Sequence, residues 1–321
     1  AGGAKGAGGG SSEHAGDQAT KAAGGQAGSK RRRSSDQPKR KRKKKRKSAS
    51  LGQESKESPE LCLVKAARAG DLAMVKRLLA MDINADQDSV GCSALHYATF
   101  YRYPEIVECL VENGATVNTR NLSGVTPIAW AVEKGFEEIV KYLLDWRADP
   151  DVGDELGLTC LHKAARDGSA SMCKLLLSNG KCDVNKQAKD WSTPLHLAVE
   201  SGSLATVELL LDADAQVNVH TNRGATPLHR AVRMRNAAVT ELLLEHGADV
   251  NARDDAGRTV MHVAVLCNAG LPLAQLLLKH DPDLSLVNDE KKTVLAQAQD
   301  SGVAPEVLKL LQDHRRRGKR K

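Results

Sequence analysis

A four-residue motif recurs through the middle of this chain at a nearly constant interval, and that interval constrains the fold more than any other feature. It reads Ser93-Ala94-Leu95-His96, Thr126-Pro127-Ile128-Ala129, Thr159-Cys160-Leu161-His162, Thr193-Pro194-Leu195-His196, Thr226-Pro227-Leu228-His229 and Thr259-Val260-Met261-His262. The fourth positions step by 33, 33, 34, 33 and 33 residues, and degenerate copies fall in the same frame at Leu61–Val64 and Thr293–Ala296. A unit this short cannot bury its own apolar face. It must stack on copies of itself, so the expected fold is a solenoid.

Each unit carries its own start and stop signals. Thr or Ser stands where a helix needs an N-cap, and Pro often follows at the first helical position, where its missing N–H costs nothing. A short helix with small residues comes next, such as Leu197-Ala198-Val199, and then a second helix with apolar residues at helical spacing, such as Val207, Leu210 and Leu211. Gly114, Gly180 and Gly247 fall where a left-handed helix cap is wanted. Arg147, Asp214 and Asp281 replace that glycine in other units, at an expected cost of about 1 kcal/mol each.

This pattern resembles the ankyrin repeat over roughly residues 58–313. The resemblance implies about eight stacked repeats including degenerate caps, each a helix pair with a β-hairpin finger: an all-α solenoid with short fingers. The five recurring histidines, His96, His162, His196, His229 and His262, then read as structural residues of the repeat rather than metal ligands. Cys160 and His162 make the nearest Cys/His pair, with no second pair beside them to complete a zinc site. No phosphate-binding G-x-x-x-x-G-K-S/T, no G-x-S-x-G and no catalytic Ser/His/Asp set is present. The expectation is a binding protein that is not an enzyme and has no cofactor.

Charge divides the chain. Residues 1–57 hold 16 Lys/Arg against 5 Asp/Glu, and 314–321 add six bases. The stretch 58–313 holds 25 bases against 35 acids, a net of −10, so the overall +7 belongs to the ends. Residues 1–57, rich in Gly, Ala and Ser, lack the apolar side chains to offset ordering entropy and read as a disordered tail. Residues 314–321 read as a second basic tail. Seven cysteines without a C-x-x-C pair or a signal peptide point to reduced thiols inside a cell. No apolar run is long enough to cross a membrane, and a monomer is expected. The chain begins at Ala1 rather than Met, which fits a fragment or a processed product.

Eight of the nine aromatic residues lie between 97 and 146. Tyr97 and Trp130 follow the His position of repeats two and three, which by family resemblance faces the groove, and Phe100 and Tyr101 lie one turn on. Exposed aromatics on a rigid scaffold are typical binding anchors. Tyr142 reads as an interior residue. Trp130-Ala131-Val132-Glu133 also resembles the groove segment of the ankyrin domains in euchromatic histone lysine methyltransferases, where aromatics and a Glu cage a methylated lysine. Val125 and Lys163 depart from that pattern at cage positions, and a Lys there would repel the ligand, so a general protein anchor is preferred. Trp191 stands in a turn where other repeats have Gly and is a second contact candidate. Asn251 and, less fully, Asn185 and Asn218 match the family's context for asparaginyl hydroxylation.

The nine consecutive bases Lys39, Arg40, Lys41, Arg42, Lys43, Lys44, Lys45, Arg46 and Lys47, with Lys30–Arg33 before them, read as a nuclear localisation signal for an import receptor. If all nine met phosphates, nucleic-acid binding would be non-specific, with a log–log salt slope of roughly −8. No aromatic is interleaved to read bases. Ser35 and Ser48 follow basic residues and look like kinase sites, where phosphate would add about −2 each. The function expected is a nuclear or nucleo-cytoplasmic adaptor that docks a protein in its groove. The alternatives are a chromatin- or nucleic-acid-associated protein working through its tails, and a retention factor resembling the cytoplasmic inhibitors of Rel-type transcription factors, which would mask a partner's basic signal.

Overall fold

The structure is a computed structural model that describes residues 59–83 and 90–318. The basic run Lys39–Lys47, Ser35 and Ser48 lie outside the described residues.

The sixteen helices among the described residues pair into eight repeats. The first four pairs are α1 (Pro59–Ala69) with α2 (Leu72–Leu79), α3 (Ala94–Phe100) with α4 (Pro104–Glu112), α5 (Pro127–Glu133) with α6 (Glu137–Asp145), and α7 (Cys160–Arg166) with α8 (Ala170–Ser178). They continue as α9 (Pro194–Ser201) with α10 (Leu204–Asp212), α11 (Pro227–Arg233) with α12 (Ala237–Glu245), α13 (Val260–Leu266) with α14 (Gly270–Leu278), and α15 (Val294–Asp300) with α16 (Pro305–Gly318). Odd-numbered helices pack on odd-numbered neighbours and even on even, giving two helical layers around one continuous core. Leu95, Ile128, Leu161, Leu195 and Leu228, one from each successive unit, are buried at that seam.

Each motif begins its odd-numbered helix as its residue types dictate. Ser93, Thr126, Thr159, Thr193, Thr226, Thr259 and Thr293 all sit at the N-cap in extended backbone. The histidine three residues on completes the cap. Its Nδ1 accepts the N–H of the Ser or Thr at 3.1–3.3 Å, so Nε2 carries the proton. That Nε2–H donates to a backbone carbonyl about thirty residues ahead: Val125, Ser192, Ala225, Arg258 and Lys292, at 3.0–3.2 Å. The imidazole thus caps its own helix and fastens the next repeat. Burial holds His162, His196, His229 and His262 below the usual imidazole range, His196 down to about 3. The structural reading of these residues is the geometry observed.

The fingers are tight turns rather than hairpins of paired strands. Among the described residues only two isolated antiparallel bridges occur, Arg253 with Thr259 and Val287 with Thr293. Asn121 and Asp154 each accept two backbone N–H groups from the turn through one side-chain oxygen, as does Asp254. These side-chain bonds close the turn locally in fingers with a bridge, as at Asp254, and without one, as at Asn121 and Asp154. Neighbouring fingers are still linked by one backbone bond each, for example Glu155 N–H to Ser123 and Asp255 N–H to Arg223.

Arg147, Asp214 and Asp281 do occupy the left-handed cap, with φ of 64°, 64° and 48°. Helix α16 runs on to Gly318, into the stretch expected to be tail, because Arg is a good helix former and cations near a helix C-terminus complement its dipole. All seven cysteines are free thiols. Among the described residues no helix is long and apolar enough to cross a membrane.

Candidate partner-binding groove

The face formed by the odd-numbered helices and the fingers carries the aromatic residues singled out by sequence. Tyr97 and Phe100 project from α3, Trp130 from α5, and Tyr101 caps the end of α3. The structure brings these four together. Phe100 meets Trp130 edge-on at 5.2 Å and Tyr101 at 5.1 Å, while Tyr97 lies 6.4 Å from Tyr101 and 6.5 Å from Trp130. His96 anchors the back of Trp130 at 5.3 Å, so the indole is fixed from below by a repeat clasp. Tyr101 is exposed; Tyr97, Phe100 and Trp130 are half-buried. Tyr103 joins the cluster by stacking near Tyr101 at 6.2 Å, a role sequence reasoning did not assign. Room for its ring comes from Gly70, where a Cβ would stand 2.8 Å from Tyr103 Cζ.

The cluster already has its cations. Arg68 lies 5.5 Å above the Tyr97 ring and Lys134 lies 4.6 Å above Phe100. Glu133 is engaged as well: Lys163 Nζ sits 2.5 Å from Glu133 and 2.9 Å from Asp154. Burial works against the Lys163 ammonium, but hydrogen bonds to Glu133 and Asp154 outweigh it and hold Lys163 above its ordinary value. Asp154 is correspondingly held low, the same bond and two turn N–H groups overcoming its burial. Lys163 is therefore not a surface contact, as the sequence reading placed it, but a buried bolt only 3% exposed. The carboxylate of the methyl-lysine cage drawn from the sequence pattern, Glu133, is engaged by Lys163.

A matching ion cluster lies two repeats further on. Glu200 takes Arg230 at 3.1 Å and Arg233 at 3.3 Å, repeating the spacing of Glu133 with Lys163 and Arg166. Arg230 is itself buried and donates to Ser192 Oγ at 2.6 Å. Sequence reasoning missed this cluster, although a base thirty residues after an acid in the groove frame marks both.

The remaining candidates scatter. Tyr142 is half-buried between α4 and α6, on the other layer, with Trp146 at 6.2 Å. Trp191 stands at a finger tip, 50% exposed, with φ of 64°. Asn251 is half-buried, and its Oδ1 accepts the Asp283 N–H at 2.8 Å, one of a series in which Asn118, Asn185 and Asn218 also bridge to the next repeat. No group of His, Cys, Asp and Glu among the described residues could hold a metal ion.

Two stacked layers of short helices, a clasp every thirty-odd residues and a finger-lined groove define a solenoid of the kind that serves as a scaffold for protein–protein interaction. A family model described as ankyrin repeats (3 copies) matches residues 48–121, 63–154, 119–188, 161–254 and 195–288, and the chain belongs to that family. Among curated proteins it is similar to E3 ubiquitin-protein ligase XBAT33 of Arabidopsis thaliana, 36% identical over 187 residues, covering 48% of this chain and 36% of the ligase. It is also similar to the nuclear factor NF-kappa-B p105 subunit of Rattus norvegicus, 34% identical over 153 residues, covering 44% of this chain and 16% of that protein. The chain thus spans about a third of the length of the plant ligases it matches. Among solved structures, the ankyrin repeat domain of Bcl-3, a member of the IkappaB protein family, superposes with a TM-score of 0.58 at 27% identity, covering 81% of this chain and all of that one.

Proposed function

We propose that this chain is a non-enzymatic interaction scaffold that docks a protein partner on the aromatic groove of repeats two and three, and that its basic run Lys39–Lys47 addresses it to the nucleus. The observation that carries the docking site is the Tyr97–Phe100–Tyr101–Trp130 cluster: four aromatic rings in mutual contact on the groove face, each at least partly open to solvent. Soluble folds normally bury such rings, and clustered rings on a rigid support are where interface energy concentrates. Because Arg68 and Lys134 already cover ring faces, the cluster suits apolar side chains of a partner better than a cation.

Affinity capture from nuclear extract by the full chain tests this. The double substitution Tyr97→Ala and Trp130→Ala should remove the captured partner while the helical circular dichroism stays unchanged. The same partners captured by both forms would refute the site.

A second reading is favoured by the likeness to NF-kappa-B p105 and to the Bcl-3 domain: the acidic stack covers a basic segment of its partner and so retains it. Under that reading capture weakens steeply with salt, whereas aromatic docking does not.

A further inference from the structure

The groove changes character at repeat six, and the change points to a second binding site distinct from the aromatic one. A cleft of about 520 Å³ opens there between the fingers and the helices α11 and α13. Its lining includes four arginines, Arg223, Arg230, Arg233 and Arg258, but only two acids, Asp190 and Asp254. This excess of positive charge stands out in a stretch, 58–313, whose net charge is −10.

Comparison of the two ion clusters shows why charge is left over. At repeat four, Lys163 is held by two carboxylates at 2.5 and 2.9 Å, Glu133 and Asp154. At repeat six, Thr221 occupies the finger position of Asp154, so Arg230 and Arg233 share the single carboxylate Glu200, with Asp190 at 3.9 Å. Arg230 is buried and serves to hold Glu200. Arg233 keeps a side chain 58% exposed. Arg223, at the tip of the same finger as Thr221, is exposed and has no ion pair among the described residues. Leu266, 44% exposed, supplies an apolar patch in the cleft wall.

Trp191 follows the lining residue Asp190 in the finger that borders the cleft. The finger position it occupies is left-handed in each of these turns, being Gly at 91, 124, 157, 224 and 257 and otherwise non-glycine only at Lys291 of the terminal repeat. A tryptophan there is strained, and its ring is half open over His220 at 6.3 Å rather than packed in the core. The fold gains nothing from it that glycine would not supply better. Strain of this kind is typically retained at functional positions.

We propose that this cleft docks an acidic segment of a protein partner, with Arg223 and Arg233 pairing its carboxylates and Trp191 with Leu266 taking an adjacent apolar side chain. Guanidinium groups suit this task because their fork matches a carboxylate's two oxygens. The site goes beyond the aromatic groove of repeats two and three and does not depend on it.

The test is fluorescence anisotropy with the full chain and a short fluorescein-labelled glutamate-rich peptide carrying one leucine, against its glutamine counterpart. The full chain should bind the glutamate peptide and not the glutamine one. The double substitution R223E/R233E should weaken binding by about tenfold or more, in keeping with like-charge repulsion at an interface, with R223E alone as the milder form should the double variant unfold. W191G should weaken binding while melting no lower than the parent, which separates a contact role from a structural one. Y97A/W130A should leave binding unchanged. Absence of binding, equal binding of the glutamine peptide, or loss of binding in Y97A/W130A would overturn the proposal. So would full binding by R223E/R233E, which would assign the contact to the basic run Lys39–Lys47.

Discussion

Lowering the pH from 7 to 5 tests the histidine clasps directly. His196 accepts the Thr193 N–H on Nδ1 and donates Nε2–H to Ala225, a bonding pattern only the neutral ring can satisfy. It is fully buried, and burial, aided by the nearby Arg230 charge, pushes it down to about 3. In the unfolded chain an imidazole titrates near 6.5, so below that pH the unfolded state takes up a proton that the folded state refuses. Stability is therefore complete above about 6.5 and is lost as pH falls toward 3. Between pH 7 and 5 the loss from His196 alone comes to about 2 kcal/mol. His162, His229 and His262 are shifted the same way and add to it. Carboxylates held low, such as Asp154 and Asp190, lose their contribution only below about 3.8, outside this window. Urea unfolding at pH 7, 6 and 5 reads the slope, and His196→Asn should flatten it by up to about 1.4 kcal/mol per pH unit whatever it does to the absolute stability. A wild-type stability constant over this range, or a His196→Asn slope equal to the wild type, would refute the clasp argument.

Three further outcomes follow from single contacts. Asp151 stands where Asn118, Asn185 and Asn218 bridge repeats, and Asn185 and Asn218 also donate Nδ2 to carbonyls of the next repeat, which a carboxylate cannot do. Burial raises Asp151 above its ordinary value, so its charge costs stability at neutral pH; Asp151→Asn should stabilise by about 1 kcal/mol in urea melts at pH 7, with the gain shrinking below pH 4. Arg147→Gly should relieve the left-handed residue and add about 1 kcal/mol, read as a Tm higher by a few degrees. Lys163→Met, by contrast, leaves Asp154 without a counter-charge and Glu133 with only the longer Arg166 contact, and should cost about 2 kcal/mol, a loss that adding Asp154→Asn partly restores.

What could be read in the sequence, and what could not, follows the range of the interactions. The Thr-x-x-His frame was legible because a cap and its partner lie within four residues, so the period and the helix starts came together. The aromatic cluster was legible for a similar reason: Tyr97 and Phe100 share one helix with Tyr101 at its end, and Trp130 sits at the frame position of Tyr97 one repeat later. Lys163 was misplaced on the surface because its burial depends on Asp154 and Glu133 arriving from two other elements. The Arg230–Glu200–Arg233 cluster escaped notice for that reason too. The fingers are expected as hairpins by family likeness; Asn121, Asp154 and Asp254 close their turns through side-chain oxygens, and strand pairing among the described residues comes down to two isolated bridges, a balance no single residue type announces.

The forward reach of the histidine clasps has a consequence for how the molecule is made. Each imidazole is satisfied only by a carbonyl about thirty residues downstream, as His96 is by Val125 and His262 by Lys292. A nascent repeat leaving the ribosome therefore remains unfastened until the following one has been synthesised, a delay of about 2–6 s at ordinary translation speeds. Assembly runs in one direction with a lag of one unit, and the chain's order of birth is also its order of closure.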